Sequence, residues 1–339
     1  MKQAFESAAL ATAMTFSVFD LSAQPLVIAH RGASAYLPEH TTEAAAYAHA
    51  LGADFIEQDV VMSKDDVLVV SHDIHLDTTT DVATRYPGRS RQDGRYYAVD
   101  FTWAELRTLV VRERFDAWSG RPVFPLRFPV EAAPAFRLCT MEEAILLIQG
   151  LNRSSGRNAG LYPEIKAPAW HARQGKDPGR ALLELLARHG YRTAEDNVFV
   201  QCFEPAELNR LRFQLKTKLK LVQLLGSAGD GDADYELMRT PRGLAEIATY
   251  AQGIGPRIAD ILRSVGPEEE PRVTSLVADA HAAALVVHPY TARRDALPRG
   301  IASLEVLLDA LLCGAGVDGL FIDHPDAARR FLSRPERPL

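Results

Sequence analysis

Short apolar segments alternate with longer amphipathic ones along most of the chain, and this alternation restricts the fold more than any other feature of the sequence. Each apolar segment has the length of a buried strand, and the segment after it has the spacing of a helix. Such alternation favours a parallel sheet, and eight units of this kind are the content of a TIM (β/α)8 barrel, an α/β fold. The predicted strands begin at Leu26, Phe55, Gly160, Val198, Leu219, Gly253, Leu285 and Gly319.

A doubly wound open sheet is the alternative α/β fold. It would usually carry a glycine-rich phosphate loop after its first strand, whereas His-Arg-Gly-Ala-Ser follows the first strand here. The chain length of 339 residues also suits a barrel, since barrels often use about 250 residues or more as one unit. We therefore predict one barrel domain over residues 24–339.

Residues 74–138, here called the insertion, interrupt the alternation after the second predicted strand. They are rich in Arg, Tyr, Pro and Gly and show little periodicity, which is typical of an inserted functional subdomain. Their aromatic side chains either cover a substrate or, in the interpretation that we favour, form a small core of the insertion itself. These side chains are Tyr86, Tyr96, Tyr97, Phe101 and Trp103.

The N-terminal residues have the pattern of a secretory signal peptide, with Lys2, an apolar segment over residues 8–19 and small residues at positions 22 and 23. This pattern predicts a signal peptide over residues 1–23 and a periplasmic or secreted protein. The alternative is an amphipathic helix at the start of a cytoplasmic protein. No later segment is apolar for long enough to span a bilayer, so we expect no stable membrane anchor.

Charge and cysteine content exclude further classes of protein. The net charge is −6 and no run of basic residues stands out, which argues against a nucleic-acid partner. Cys139, Cys202 and Cys313 are too few and too widely spaced for a disulfide framework, so we predict three buried thiols. The sequence does not predict an oligomeric state.

Polar residues gather at or near the C-terminal ends of the first three predicted strands and of the short return segment at residues 67–71. They are His30, Arg31, Glu57, Asp59, His72, Glu164 and Lys166. Active sites of barrels lie at this end of the strands. Three converging carboxylates need a cation between them, and oxygen ligands suit Ca²⁺ or Mg²⁺ better than Zn²⁺. Arginine and lysine suit a phosphate group, and two histidines suit acid–base catalysis, so the pattern predicts a metal-dependent enzyme acting on a phosphate ester.

Each of these residues also has a structural interpretation. A single histidine is commonly a buried structural residue, and Lys166 could simply pair with Glu164. Phe203 and His288 lie near other strand ends, where lining of the site and a structural role are equally open. Pro163 falls inside the third predicted strand, where we expect a local irregularity because proline is disfavoured there.

The sequence also resembles a known family, the glycerophosphodiester phosphodiesterases. The motifs are His-Arg-Gly-Ala at residues 30–33, Pro-Glu-His-Thr at 38–41, Glu-Gln-Asp-Val at 57–60, His-Asp at 72–73 and Glu-Ile-Lys at 164–166. The resemblance extends over nearly all of the chain from residue 26 onward, and further segments look like the periplasmic bacterial branch.

This resemblance implies a barrel with an inserted subdomain, and hydrolysis of glycerophosphodiesters such as glycerophosphocholine and glycerophosphoethanolamine to sn-glycerol 3-phosphate and an alcohol. It implies one divalent cation, with Ca²⁺ favoured and Mg²⁺ as the alternative. The implied metal ligands are Glu57, Asp59 and Glu164, the implied catalytic residues are His30 and His72, and the implied phosphate-binding residues are Arg31 and Lys166. We favour His30 as base and His72 as acid, with a cyclic glycerol phosphate as intermediate; direct attack by water is the alternative. Ile322 stands where the family often has Thr, which leaves the role of Asp323 open.

Other functions compete with this one. A phospholipase D-like hydrolase of lysophospholipids would share the barrel and the motifs, and it would be favoured by an exposed apolar loop, which the sequence does not reveal. A non-catalytic surface binding protein on the same fold is disfavoured by the full set of chemical residues. A dehydrogenase is disfavoured by the lack of a glycine fingerprint.

Overall fold

The computed structural model describes residues 24–129, 136–263 and 271–334 of the chain. The predicted signal peptide, residues 1–23, lies outside the described residues. Within the described ranges, no helix combines the length and the apolar character that a membrane span requires.

Eight parallel strands form the predicted barrel. In space the order is β11, β1, β2, β4, β5, β6, β7 and β10, and β3 pairs antiparallel with β2. The two end strands approach each other through backbone hydrogen bonds, in which Asp318 N donates to Val287 O at 3.1 Å and Phe321 N donates to Pro289 O at 2.9 Å. The strands are β1 Leu26–Ala29, β2 Phe55–Met62, β3 Leu68–Val70, β4 Gly160–Ile165, β5 Phe199–Cys202, β6 Lys220–Leu224, β7 Gly253–Gly255, β8 Leu262–Arg263, β9 Arg272–Val273, β10 Val286–Val287 and β11 Gly319–Ile322.

The barrel strands begin within one residue of the positions expected from the apolar segments, and the TIM barrel prediction is confirmed. Position along the chain was predictable because a strand buried on both faces leaves an uninterrupted apolar run. The pattern of residues 273–284 alone predicts a helix that begins at residue 273; this start is wrong, because residues 272–273 form β9 and pair with β8, and the helix begins at Leu276.

Helices surround the barrel and bury one side against the strands. α4 is a typical example. Its N-cap residue Thr140 forms a capping box with Glu143 of the first turn, and the helix ends before Gly156, whose φ of 73° suits glycine. The helices are α1 Thr42–Ala50, α2 Val82–Arg85, α3 Trp103–Leu106, α4 Met141–Ser155, α5 Pro168–Arg173, α6 Pro178–Arg188, α7 Pro205–Asn209, α8 Tyr235–Met238, α9 Pro241–Ile247, α10 Ile258–Ile261, α11 Leu276–Ala282, α12 Leu304–Leu308 and α13 Pro325–Leu332.

The barrel interior is a packed core below the polar end. Aromatic rings dominate it, and Tyr162 stacks on Phe199 with ring centroids 5.0 Å apart while Phe321 meets Tyr162 edge-on. Interiors of this kind hold layers of side chains contributed by alternate strands. The layer closes the lower part of the barrel, so a ligand can enter only from the polar end.

Pro163 produces the irregularity expected in β4, but only on one side. The strand stays in register with β2, where Pro163 pairs with Gln58. Its contact with β5 is reduced to the pair Glu164–Gln201 and one isolated bridge at Leu161. Leu161 N donates to the strand β5 side, so the nitrogen of Pro163, two residues on, faces the same side and has no proton to donate.

The insertion forms a small apolar core together with Val61 of β2 and Val69 of β3. Tyr96 and Phe101 are buried in it, and Tyr86 and Trp103 pack against it. Tyr97 lies outside this core and stacks on Trp170 with ring centroids 5.4 Å apart. None of these five aromatic side chains lines the cavity at the polar end of the barrel, so a packing role describes them better than substrate covering.

The prediction of three buried thiols was wrong for one cysteine. Cys139 and Cys202 are buried, whereas Cys313 is exposed. Cys313 lies in the π-helical turn Asp309–Ala315, where Leu311 and Leu312 occupy the side that faces the core. Cys313 therefore falls on the outer side, which apolar character alone did not reveal.

Candidate active site

One cavity of about 180 Å³ opens at the C-terminal ends of the barrel strands. All seven polar residues singled out in the sequence line it: His30, Arg31, Glu57, Asp59, His72, Glu164 and Lys166. The other lining residues are Gln201, Phe203, Leu224, Tyr290, Thr291, Arg293 and Phe321. The parallel register of β1, β2 and β4 brings six of these polar residues to one end of the barrel, and the antiparallel pairing of β3 with β2 brings His72 there.

An acidic triad of Glu57, Asp59 and Glu164 occupies the cavity floor. Glu57 and Asp59 are two apart on β2 and share a face, and Asp59 pairs in register with Glu164 on β4. One carboxylate oxygen from each residue lies within 4.8 Å of the others. Asp59 Oδ1 is buried and finds no hydrogen-bond partner in the described part of the chain. The triad is thus a ready set of hard oxygen donors with one donor uncommitted.

The electrostatics of the triad favour a bound cation. Burial, followed by the charges of Asp59 and Glu164, raises the pKa of Glu57 well above its usual value. Burial is also the main reason why the pKa of Glu164 rises to about 8. Burial would raise the pKa of Asp59 as well, but Lys166 and His40 hold it well below its ordinary value. In the protein alone the three groups therefore resist full ionisation, and a divalent cation would relieve that repulsion.

Two positively charged side chains, Arg31 and Lys166, border the triad. Arg31 has a φ of 57°, and its backbone nitrogen donates to Glu57 Oε2 at 3.0 Å. Its guanidinium donates to Glu39 at 3.0 Å, and its Nε lies 3.6 Å from Asp59 Oδ2. Lys166 Nζ lies 2.7 Å from Glu164 Oε1, so the ion pair considered in the sequence is present. Arg31 and Lys166 both line the cavity, so the ion pair of Lys166 with Glu164 does not prevent either residue from binding a phosphate group.

His30 is held by a buried carboxylate at the end of β11. Its Nδ1 lies 2.7 Å from Asp323 Oδ1, and because an ionised carboxylate only accepts, Nδ1 carries the proton. Nε2 then faces the triad, 3.8 Å from Glu57 Oε2. Burial, followed by the charge of Arg31, lowers the pKa of His30 to about 4. The role of Asp323, open in the sequence, is to orient this ring.

His72 has a matching arrangement on the other side of the cavity. Its Nδ1 lies 2.6 Å from Asp73 Oδ1, and 29% of its side chain is accessible. Burial, followed by the charges of Arg31 and Lys166, lowers the pKa of His72 to about 3. Each histidine thus has one nitrogen fixed by a carboxylate and the other available for proton transfer.

Phe203 and His288, for which the sequence left a structural role and lining of the site equally open, differ in their position relative to the cavity. Phe203 lines the cavity, with Lys166 Nζ 5.8 Å from its ring centroid. His288 does not line it; the residue is buried below, where its Nδ1 lies 2.8 Å from Tyr162 Oη. His288 therefore belongs to the packed interior of the barrel.

Several residues near the site were not assigned from the sequence. His40 Nε2 lies 2.6 Å from Asp59 Oδ2, and Gln201 Nε2 donates to Glu57 Oε1 at 2.9 Å. Glu39 and His40 stand in the Pro-Glu-His-Thr motif, which was the available signal for them. Arg114 and Arg127 of the insertion had no such signal, because no strand or motif marks them.

Comparisons with known proteins agree with this geometry. Residues 30–327 match the profile of the glycerophosphoryl diester phosphodiesterase family. The chain is 40% identical to the glycerophosphodiester phosphodiesterase of Haemophilus influenzae over 331 residues, which is 92% of this chain and 91% of that protein. It is 35% identical to the glycerophosphodiester phosphodiesterase of Treponema pallidum, covering 93% of this chain and 94% of that protein.

Solved structures show the same fold. A crystal structure from Silicibacter pomeroyi, described as a glycerophosphoryl diester phosphodiesterase, superposes with a TM-score of 0.69 at 27% identity, covering 92% of this chain and 94% of that one. A phosphodiesterase of Oleispira antarctica, solved with its product sn-glycerol-3-phosphate, has a TM-score of 0.63 at 20% identity, covering 92% of this chain and 98% of that one. The chain therefore belongs to the glycerophosphoryl diester phosphodiesterase family, and its activity is the hydrolysis of glycerophosphodiesters.

Proposed function

We propose that this enzyme hydrolyses deacylated phospholipids, such as glycerophosphocholine and glycerophosphoethanolamine, to sn-glycerol 3-phosphate and the free alcohol. The proposal includes one divalent cation held by Glu57, Asp59 and Glu164, and proton transfer by His30 and His72. The observation that carries it is the meeting, in one cavity, of an acidic triad and two histidines that are each bonded through Nδ1 to a carboxylate.

The donor set fits a hard divalent cation. Three carboxylates supply only oxygen ligands, and the buried, unpartnered Asp59 Oδ1 is available as one of them. A cation bound there would stabilise negative charge developing on the phosphate and favour ionisation of a neighbouring hydroxyl. We propose Ca²⁺ rather than Mg²⁺, because Ca²⁺ tolerates an all-protein carboxylate set while Mg²⁺ usually keeps several waters.

The two histidines would share the proton transfers. His30 is neutral above its lowered pKa of about 4 and can accept the proton of the glycerol hydroxyl through Nε2. Attack of that oxygen on phosphorus would form a cyclic glycerol phosphate while His72 protonates the leaving alcohol. The negative charge of a bound diester opposes the lowering of the pKa of His72 and favours its acid form. In the second step water opens the ring, His72 removes a proton from the water, and His30 returns its proton to the glycerol oxygen.

Arg31 and Lys166 would hold the diester phosphate. Both line the cavity, and each stays charged because neighbouring carboxylates raise its pKa against the opposing effect of burial. The fork of Arg31 is tethered to Glu39, which restricts its orientation. Guanidinium and ammonium groups placed beside a cation suit a phosphodiester anion.

The decisive assay is release of sn-glycerol 3-phosphate from a panel of glycerophosphodiesters, with and without a chelator and with Ca²⁺ or Mg²⁺ added back. The proposal expects turnover to stop after chelation and to return with Ca²⁺. It also expects His30→Ala and His72→Ala to lose most of kcat while they keep the fold. Full activity after chelation would refute the cation, and near-normal turnover in either variant would refute the histidine pair.

A lysophospholipid hydrolase is the second candidate, and one structural observation favours it. The insertion exposes Trp118 at 97% and Leu126 at 94%, which sequence inspection did not reveal. Leu126 precedes Arg127, whose guanidinium contacts Asp323 beside the cavity. Exposed tryptophan and leucine suit the surface of a lipid aggregate. Comparison of glycerophosphocholine with lysophosphatidylcholine decides; a preference for the lyso substrate that Trp118→Ser abolishes would favour the second candidate.

We also propose that residues 1–23 are a signal peptide, that the mature enzyme is one barrel domain with the insertion at residues 74–138, and that it acts in the periplasm or outside the cell. Lys2 and the apolar residues 8–19 support this proposal. Fractionation of the native host and mass spectrometry of the mature N-terminus test it. A cytoplasmic protein that retains Met1 would contradict it.

A further inference from the structure

The insertion directs two arginines toward the catalytic end of the barrel. Arg114 and Arg127 are only 19% and 5% accessible in their side chains. Each bonds a carboxylate that holds one of the two histidines, Asp73 for His72 and Asp323 for His30. Neither arginine lines the cavity, so we assign neither of them a contact with the substrate.

Arg114 forms a clamp of three contacts. Its Nη1 donates to Asp73 Oδ2 at 2.7 Å. Its Nε and Nη2 donate to the two oxygens of Glu39 at 3.0 and 2.7 Å. Glu39 in turn accepts from Arg31, which borders the acidic triad. The paired bonds to Glu39 fix the plane of the Arg114 guanidinium, so the third bond fixes Asp73.

Arg127 forms the same clamp on the opposite side. Its Nη2 donates to Asp323 Oδ2 at 2.6 Å. Its Nε and Nη2 donate to the two oxygens of Asp295 at 2.8 and 2.9 Å. Asp323 Oδ2 also accepts from Arg293 Nε at 2.9 Å, so this carboxylate has a second arginine from the barrel. Among the described residues, the only other partner of Asp73 Oδ2 beside Arg114 is Thr78 Oγ1, in a weaker contact at 3.4 Å.

We propose that Arg114 and Arg127 are positioning residues, through which the insertion holds both catalytic histidines in the tautomer and orientation that proton transfer needs. One oxygen of each carboxylate accepts from a histidine Nδ1 and the other accepts from an arginine, so the carboxylate cannot rotate away. Nδ1 keeps its proton, and Nε2 stays free to exchange protons with the substrate. The insertion is then part of the catalytic apparatus. This inference rests on the roles proposed above for His30 and His72.

The two arginines differ in the size and type of effect expected. Loss of Arg114 leaves Asp73 without its strong partner, so Arg114→Gln should lower kcat on glycerophosphocholine by about 10- to 100-fold. Loss of Arg127 is partly compensated by Arg293, so Arg127→Gln should have a smaller effect. Neither side chain lines the cavity, and Glu39 keeps both of its bonds from Arg31 Nη1 when Arg114 is replaced, so KM should change by less than about threefold in both variants, as expected for groups that act on the chemical step.

The test compares substrates with different leaving groups. Choline needs protonation as it leaves, whereas p-nitrophenol does not, so the release of p-nitrophenol from glycerophospho-p-nitrophenol in a single turnover reports on the first step and on its base alone. Arg114→Gln, acting through the acid His72, should lose much less activity on the p-nitrophenyl diester than on glycerophosphocholine. Arg127→Gln, acting through the base His30, should lose equally on both. Arg121→Gln, an exposed arginine of the same insertion, is the matched control and should behave as the unaltered enzyme.

Double variants show whether each arginine acts through its histidine. Arg114→Gln should cause no further loss in a His72→Ala background, and Arg127→Gln none in a His30→Ala background. A further loss in either background, equal losses of Arg114→Gln on the two substrates, or unaltered kcat in both single variants would overturn the inference. An enzyme that releases no sn-glycerol 3-phosphate, or that does not need its histidines, would instead overturn the proposed function. Thermal denaturation of each variant separates these outcomes from loss of fold.

Discussion

Asp323→Asn is the substitution that tests the geometry of the site most directly. Asp323 Oδ1 faces His30 Nδ1, while Oδ2 accepts from Arg127 and Arg293. Asparagine keeps the shape of aspartate but has a single oxygen. Both arginines donate to the same position, so the amide oxygen would occupy that position and the amide nitrogen would face His30. A donor facing Nδ1 moves the ring proton to Nε2, the nitrogen that accepts a proton from the substrate in the proposed mechanism.

The size of the effect follows from the cost of restoring the correct tautomer. Two N–H groups would then face each other in a buried site, and each unsatisfied group costs about 1–3 kcal/mol. The barrier should therefore rise by about 2–6 kcal/mol, which is a loss in kcat of roughly 30-fold to the order of 10⁴-fold at about 1.4 kcal/mol per tenfold. The same exchange in a serine-protease triad, described for other enzymes, lies at the upper end of this range.

The assay is kcat at saturating glycerophosphocholine, with KM and thermal stability measured in parallel. Asp326→Asn is the matched control, because Asp326 bonds Tyr36 and Arg330 and does not line the cavity. We expect the control to keep kcat and Asp323→Asn to lose it with little change in KM. A loss below about tenfold in folded Asp323→Asn would refute the argument that this carboxylate selects the tautomer of His30.

Three further predictions concern the cation, the acid stability and the backbone. Ca²⁺ should raise the melting temperature of the unaltered enzyme, and Glu164→Gln should reduce that shift and raise the Ca²⁺ needed for half-maximal activity by about tenfold or more; an unchanged shift in calorimetry would contradict the metal site. Despite burial, His30 and the two arginines make the pKa of Asp323 lower in the folded protein than in the unfolded chain. The contribution of Asp323 to stability is therefore present above about pH 4 and is lost as the pH falls toward its folded pKa. Urea titrations at stepwise lower pH should show a weaker acid dependence for Asp323→Asn. Gly32→Ala should destabilise the fold by about 1–3 kcal/mol because φ is +84° and the added Cβ would lie 2.8 Å from Ala44 C, whereas Gly94→Ala, at φ +80° with open space around it, should cost less; equal losses of melting temperature would contradict the steric argument.

The sequence was sufficient to predict the barrel because the apolar run of a strand and the spacing of the helix after it are both local patterns. A strand that is buried in the barrel, such as β1, is an unbroken apolar run, and its position can be identified without knowing its neighbours. The short elements α5, α8 and α10 were missed because each is only four to six residues long and carries little periodicity of its own. Cys313 was misjudged for a related reason, since helical facing depends on where the π-helical turn begins.

The sequence predicted which residues form the site, but it did not predict the hydrogen bonds and ion pairs that connect them to their partners. Parallel strands bring their C-terminal ends together, so polar residues at those ends could be grouped from the sequence alone. The partners of those residues could not be grouped, since His30 and Asp323 are 293 positions apart in the chain. Pairing over such a distance depends on the closure of the barrel between β1 and β11, which no local pattern records.

The sequence by itself thus determined the eight-stranded barrel, the acidic triad, the basic residues Arg31 and Lys166 and the two histidines. Strand periodicity and the family motifs are patterns of neighbouring residues, so they can be recognised without the tertiary structure. Only the tertiary structure decided that His288 belongs to the barrel interior, that Asp323 orients His30, and that Arg114 and Arg127 reach from the insertion to both histidine partners. In residues 74–129 and 136–138, the part of the insertion that the structure describes, no strand holds the side chains in register with the barrel. The positions of Arg114 and Arg127 are therefore set by ion pairs with residues that are distant in the chain.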